Sequence, residues 1–260
     1  PTGGKYDGVL GVLAGLEIIR TLNDLNIQTK HPIMIVNWTN EEGSRFPPAM
    51  MASAGYAGIY DVKTLLSAED AEGNIFGKEL EKIGWKGTEP VGEQKIHCYY
   101  ELHIEQGPVL ETEEIDIGVV THGQGLKWLE VQLSGTEQHT GTTPMHVRKD
   151  TSLAMSEIIL AVNNIAYKNQ PNALGSVGHI EVSPNSRNVI AGHSIFTIDF
   201  RSPDITKLDK MENELKLLAI DICKKYKVNF NMKQIGGFDP VTFDKDCINN
   251  IRQGAEKFSY

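Results

Sequence analysis

Much is missing from this 260-residue chain, and each absence removes a class of function. Cysteine is scarce: Cys98, Cys223 and Cys247 are odd in number and show no CxxC spacing. That pattern excludes a disulfide framework or a zinc knuckle and suits free thiols in a reducing, cytoplasmic setting. No apolar run approaches the roughly 20 residues of a membrane-spanning helix, and no signal-peptide pattern opens the sequence, so no membrane partner is expected. Lysine and arginine form no cluster, and the net charge of −9 argues against nucleic acid. Internal repeats and low-complexity segments are lacking as well. What remains is 40% hydrophobic and 23% charged, the balance of an ordinary globular protein, with length for one large domain or two medium ones.

The most informative stretch is Asn37-Trp38-Thr39-Asn40-Glu41-Glu42-Gly43-Ser44-Arg45-Phe46, which follows the short β-branched run at 33–36. That run reads as a buried strand of a parallel sheet, and open α/β sheets bind ligands beyond the carboxyl ends of their strands. Two adjacent carboxylates repel each other, so a fold keeps them together mainly where water or a cation compensates. A solvated loop is the plain alternative. Upstream, apolar residues at helical spacing predict a helix over residues 9–25, with Asp7 at its start. By position alone Asp7 reads as a helix cap. Residues 49–59 and 62–86 read as short helices, and 99–105 and 117–121 as strands. His103 lies in the first of these strands, among Gln106 and the acids Glu101 and Glu105, which are of the kind that orient a metal-binding imidazole.

From residue 123 the pattern changes. Strands are expected at 128–133, 176–182, 195–200 and 228–235, with helices at 151–166 and 208–222. The order β-α-β-β-α-β is that of a ferredoxin-like domain. His139 sits in a loop of small residues after the first of these strands, open to a substrate or merely capping a turn. Asn188 follows a proline turn. Arg201 ends a strand, where it is either a surface charge or a fork for a carboxylate.

Four stretches carry a resemblance. Pro1-Thr2-Gly3-Gly4-Lys5-Tyr6-Asp7-Gly8, Asn40-Glu41-Glu42-Gly43-Ser44-Arg45-Phe46, Glu101-Leu102-His103-Ile104-Glu105-Gln106-Gly107-Pro108 and His139-Thr140-Gly141-Thr142-Thr143-Pro144-Met145 resemble the M20-type metallo-amidohydrolases. The resemblance is to their hydantoinase/carbamoylase branch: N-carbamoyl-L-amino acid hydrolases, yeast-type β-ureidopropionases and allantoate amidohydrolases. It implies an α/β fold in two domains, part of a di-metal catalytic domain plus an inserted ferredoxin-like lid and dimerisation domain. The expected partition is 1–122, 123–237 and 238–260, the last being the start of a return to the catalytic domain.

By the same resemblance, Asp7 bridges two divalent cations (zinc, manganese, cobalt or nickel), and Glu42 and His103 each hold one of them. Glu41 is the general base, and His139 polarises the scissile carbonyl, reaching across a homodimer. Gln106, Asn188 and Arg201 contact the substrate, with Arg201 on its carboxylate. The implied reaction is hydrolysis of the carbamoyl C–N bond of an N-carbamoyl amino acid. Allantoate hydrolysis is the nearest alternative, and a non-catalytic dimerising module is the alternative of another class. The family also has one metal-binding histidine upstream of the Pro1 turn and one near its C-terminus. The resemblance therefore implies an internal fragment, weak in metal binding and inactive by itself.

Overall fold

The computed structural model describes residues 4–260, so the first three residues of the Pro1–Gly8 turn lie outside the described residues. The chain divides into two compact units, 1–116 and 117–260.

In the first unit, the apolar periodicity produces α1 (Val9–Asp24), followed by the short helices α2 (Met51–Tyr56), α3 (Val62–Leu66), α4 (Phe76–Lys82) and α5 (Val109–Thr112). α1 approaches the segments 33–38 and 99–105 through glycines one turn apart. A Cβ on Gly11 would meet the Leu102 carbonyl oxygen at 2.8 Å, and one on Gly15 would meet Ile35 at 3.2 Å. A larger residue at either position would hold the helix off. Those two segments correct the sequence expectation. They take neither helix nor strand and join no ladder among the described residues. β-branched side chains favour an extended backbone, but a strand also needs a hydrogen-bonding neighbour. The segments meet through side chains instead, Trp38 donating from Nε1 to the Tyr99 hydroxyl at 3.1 Å, and just upstream of each His31 stacks on His97 with ring centroids 5.5 Å apart. No residue of α1 is buried. The unit's core is a small cluster of Phe46, Met51, Leu65 and Phe76. Beside it Arg45 lies over the Phe46 ring and pairs with Asp70 and Glu79.

The second unit opens on β1 (His122–Gly123), paired with the late β8 (Val241–Thr242), whereas the strand expected over 117–121 does not form and those residues precede it without a ladder among the described residues. Next come β2 (Gly125–Ser134), β3 (Gln138–His139), α6 (Thr151–Lys168), β4 (Leu174–Ser183), β5 (Val189–Ile190), β6 (His193–Ser202), α7 (Ile205–Tyr226) and β7 (Asn229–Phe238). After β8, the helix α8 (Lys245–Lys257) ends the chain. β2, β4, β6 and β7 form an antiparallel sheet in the order β4-β6-β2-β7. With α6 and α7 packed on one face, this is the ferredoxin-like arrangement expected from the sequence.

Strict alternation makes it so. Leu129, Val131 and Leu133 on β2, with Phe196, Ile198 and Phe200 on β6, point to the helices. There they meet Ile158, Val162 and Ile165 of α6 and Leu208, Met211 and Leu215 of α7. Both helices start on an aspartate cap, Asp150 accepting from Ser152 N–H and Asp204 from Thr206 N–H, each at 2.9 Å. The opposite face of the sheet carries Trp128, Glu130, Thr197, Asp199 and Lys233 and is polar. No helix among the described residues is long and apolar enough to cross a membrane.

Candidate functional site

Asp7 stands just before the N-cap Gly8 of α1, yet among the described residues no side chain caps the helix start. The carboxylate turns elsewhere. Its Oδ1 lies 3.3 Å from His103 Nε2, and its Oδ2 accepts from the Gln106 side-chain amide. His103 Nδ1 is 2.6 Å from the Ile104 carbonyl oxygen, which can only accept, so Nδ1 carries a proton. In the neutral ring that leaves the Nε2 lone pair facing a carboxylate, an arrangement that calls for a shared proton or a cation. An imidazole held at one nitrogen by a carbonyl, with the other free, is the usual state of a metal-binding histidine. The acids expected to orient His103 do other work. Glu105 accepts from the Val109 and Leu110 amides, and Glu101 accepts from the Tyr99 hydroxyl at 2.6 Å.

Glu41 and Glu42 follow Asn40, whose φ of 55° lies in the left-handed region that asparagine tolerates. Asn40 is pinned by its side-chain amide, which donates to the Phe46 carbonyl at 2.7 Å. Gly43 has φ 65°, and a Cβ there would strike the Ala49 nitrogen at 2.5 Å, so only glycine closes this turn. The Glu41 carbonyl accepts from Met50 N–H, tying the turn to the start of α2. The Glu41 carboxyl is pushed above the ordinary glutamate range, first by burial and then by the charges of Glu42, Glu101 and Asp7, with His103 opposing. That list of neighbours places Glu41 in one electrostatic environment with Asp7 and His103.

Sequence reasoning placed His139 in a loop, but the structure puts it in the two-residue strand β3, opposite Val189 of β5. Asn188 is adjacent: its carbonyl accepts from Thr140 N–H at 3.1 Å, and its side chain accepts from the Ser186 hydroxyl. The His139 Nδ1 lies 3.0 Å from Gly141 N–H. A backbone amide can only donate, so Nδ1 is the acceptor and, in the neutral ring, the proton sits on Nε2. His139 is exposed, so it offers solvent an N–H donor.

Arg201 stands near the end of β6 with its fork already engaged. Nε lies 3.1 Å from both Asp199 oxygens and Nη2 lies 2.9 Å from Oδ2. A guanidinium has five donors, so this side-on pair leaves the Nη1–Nη2 end free for a second carboxylate.

The first unit thus brings together Asp7, His103, Gln106 and Glu41, and the second brings together His139 and Asn188. Among the described residues, no three His, Cys, Asp or Glu side chains converge closely enough to hold a cation, so Glu42 does not complete a set with Asp7 and His103. The donors present, one carboxylate oxygen and one imidazole nitrogen, fit two ligand positions of a single divalent cation. The sequence reading missed Asp199, although its place two residues before Arg201 on one strand face was a usable signal.

The model of peptidase family M20/M25/M40 matches residues 2–259. The N-carbamoyl-L-amino-acid amidohydrolase of Rhizobium meliloti is 54% identical over 260 residues, the match covering 100% of this chain and 62% of that protein. The enzyme of the same name from Pseudomonas sp. (strain NS671) is 34% identical, over 98% of this chain and 63% of its own length. Among solved structures, the hydantoinase/carbamoylase family amidase of Burkholderia multivorans superposes with a TM-score of 0.95 at 46% identity, over 100% of this chain and 63% of that one. The chain thus spans under two thirds of the length of each of these relatives. It belongs to peptidase family M20/M25/M40, and its similarity within that family is to the hydantoinase/carbamoylase branch.

Proposed function

We propose that this chain is the part of a metal-dependent amidohydrolase that cleaves the carbamoyl C–N bond of an N-carbamoyl-L-amino acid. The observation that carries the reading is the Asp7–His103 pair, whose facing carboxylate and imidazole can share a cation, beside a glutamate of raised basicity. The names and the 54% and 46% identities of the relatives support the substrate class.

Asp7 and His103, with Glu42 as the third ligand expected from the sequence, would hold divalent metal. A bound cation supplies Lewis-acid polarisation and lowers the pKa of water. The family resemblance favours two cations, both of which Asp7 would help to hold. Glu41 takes the proton from the attacking water, a task its raised pKa favours. It then returns that proton to the leaving nitrogen. The Nε2–H of His139 donates to the carbonyl oxygen as it gains negative charge, a contribution of about 3–4 kcal/mol for one such donor. Arg201, turned by Asp199, offers its free end to the amino-acid carboxylate, and Asn188 and Gln106 supply further polar contacts. Carbamic acid and the amino acid separate, and the former breaks down to ammonia and carbon dioxide.

The protein is a homodimer in this reading, paired through the second unit. The position of β4 at the edge of the sheet among the described residues, and the exposed Leu160 and Tyr167 of α6, support that surface. It works in the cytoplasm, in keeping with Cys98, Cys223 and Cys247 as free thiols. The test is metal analysis and turnover of the full-length protein. Divalent metal and hydrolysis of N-carbamoyl-L-amino acids are expected together. A metal-free protein that binds the substrate without cleaving it would make this a binding module.

A further inference from the structure

Arg148 lies half-buried just after the short 3-10 turn Met145–Val147. Among the described residues no carboxylate comes within ion-pair distance of it. Its fork goes to two main-chain oxygens of the loop that follows His139: Nη2 donates to the Thr140 carbonyl at 2.7 Å and Nε to the Thr143 carbonyl at 3.1 Å. A guanidinium spent on two backbone carbonyls fixes the loop that carries them.

The Thr140 carbonyl and the Gly141 N–H belong to one planar trans peptide, so they point in opposite directions. Holding the oxygen toward Arg148 therefore aims the N–H the other way, and that N–H lies 3.0 Å from His139 Nδ1. If this peptide turned over, a carbonyl oxygen would face Nδ1 and favour the proton there, leaving Nε2 bare. Gly141, without a Cβ, resists that turn less than any other residue would. Two further bonds hold the frame, Thr140 N–H to the Asn188 carbonyl and Thr143 N–H to the His139 carbonyl, both at 3.1 Å. Neither fixes the Thr140–Gly141 plane from the oxygen side.

We propose that Arg148 is a positioning residue that sets the tautomer of His139 through the Thr140–Gly141 peptide, keeping Nε2–H as the outward donor. The catalytic consequence rests on the function proposed above, whereas the tautomer itself does not. The test is long-range proton–nitrogen NMR of the nitrogen-15-labelled chain, with the His139 signals assigned by comparison with His139→Gln.

The wild type should show His139 as the Nε2–H tautomer. In Arg148→Gln a substantial Nδ1–H population should appear while the rest of the spectrum stays dispersed. Arg148→Lys, which keeps the charge but not the fork, should lie between them, and it decides the matter if Arg148→Gln does not fold. An Nδ1–H tautomer in the wild type, or pure Nε2–H in the variants, overturns the proposal. In the full-length enzyme, Arg148→Gln should lower kcat by about a hundredfold with KM nearly unchanged. A changed tautomer with unchanged kcat would instead refute the role given to His139 and leave the role of Arg148 standing.

Discussion

At the scale of single residues, the proposed function gives the two adjacent glutamates separable tasks. Glu41 is the one whose carboxyl is pushed up by burial and by neighbouring negative charge. Glu41→Gln in the full-length protein should retain bound metal and lose kcat by about two to four orders of magnitude, the usual contribution of a general acid–base group. Glu42→Gln should lose metal. Elemental analysis beside steady-state kinetics separates the two, and equal metal loss in both variants would remove the distinction. Asp199 is the residue that sequence reasoning did not find. Because it holds Arg201 side-on through Nε and Nη2, Asp199→Asn should free the guanidinium to swing. KM for substrates bearing a carboxylate should then rise about tenfold, one lost charge-assisted contact, with kcat changing less. A lowered KM would mean that Asp199 masks Arg201 rather than aiming it.

At the scale of elements, the ferredoxin-like half was legible because both its periods are clean. β2 and β6 alternate at every second residue and α7 buries Leu208, Met211, Leu215 and Ile222 along one stripe. Phe196 is fully buried between them, so Phe196→Ala should destabilise the unit by about 3–5 kcal/mol, read as a lower denaturant midpoint. The first half was less legible for a physical reason. The runs at 33–36 and 99–105 have strand composition, but composition sets the local backbone and cannot supply the neighbour that completes a ladder. Likewise the place of Asp7 before α1 suggested a cap, whereas its actual partners, His103 and Gln106, lie about a hundred residues away and leave no local pattern. The tautomer of His139 depends on one amide direction, which no residue spacing records.

One loop of the first unit has an acid-sensitive anchor. The Asp70 side chain is only 6% exposed and accepts from the Asn74 side chain and the Asn74 and Glu72 amides. Those bonds, with Arg45, hold its carboxyl well below the ordinary aspartate range. A lowered folded-state pKa stabilises the fold fully above the unfolded value, and that stabilisation is lost as pH falls toward the folded value. Proteolysis between 70 and 76 should therefore accelerate below about pH 4, the unfolded aspartate range. Asp70→Asn should remove that pH dependence. A cleavage rate that is flat in the wild type would contradict the anchor.

For the whole molecule, the proposal to be tested is metal-dependent hydrolysis of the carbamoyl C–N bond of an N-carbamoyl-L-amino acid. The direct measurement is ammonia release by the full-length protein from N-carbamoyl-L-amino acids, N-carbamoyl-β-alanine, allantoate and N-acyl amino acids, before and after metal removal. Release from N-carbamoyl-L-amino acids, abolished by chelation and restored by divalent metal, is the predicted result. Cleavage confined to the N-acyl amino acids, or carbamoyl hydrolysis that survives complete metal removal, would contradict the account.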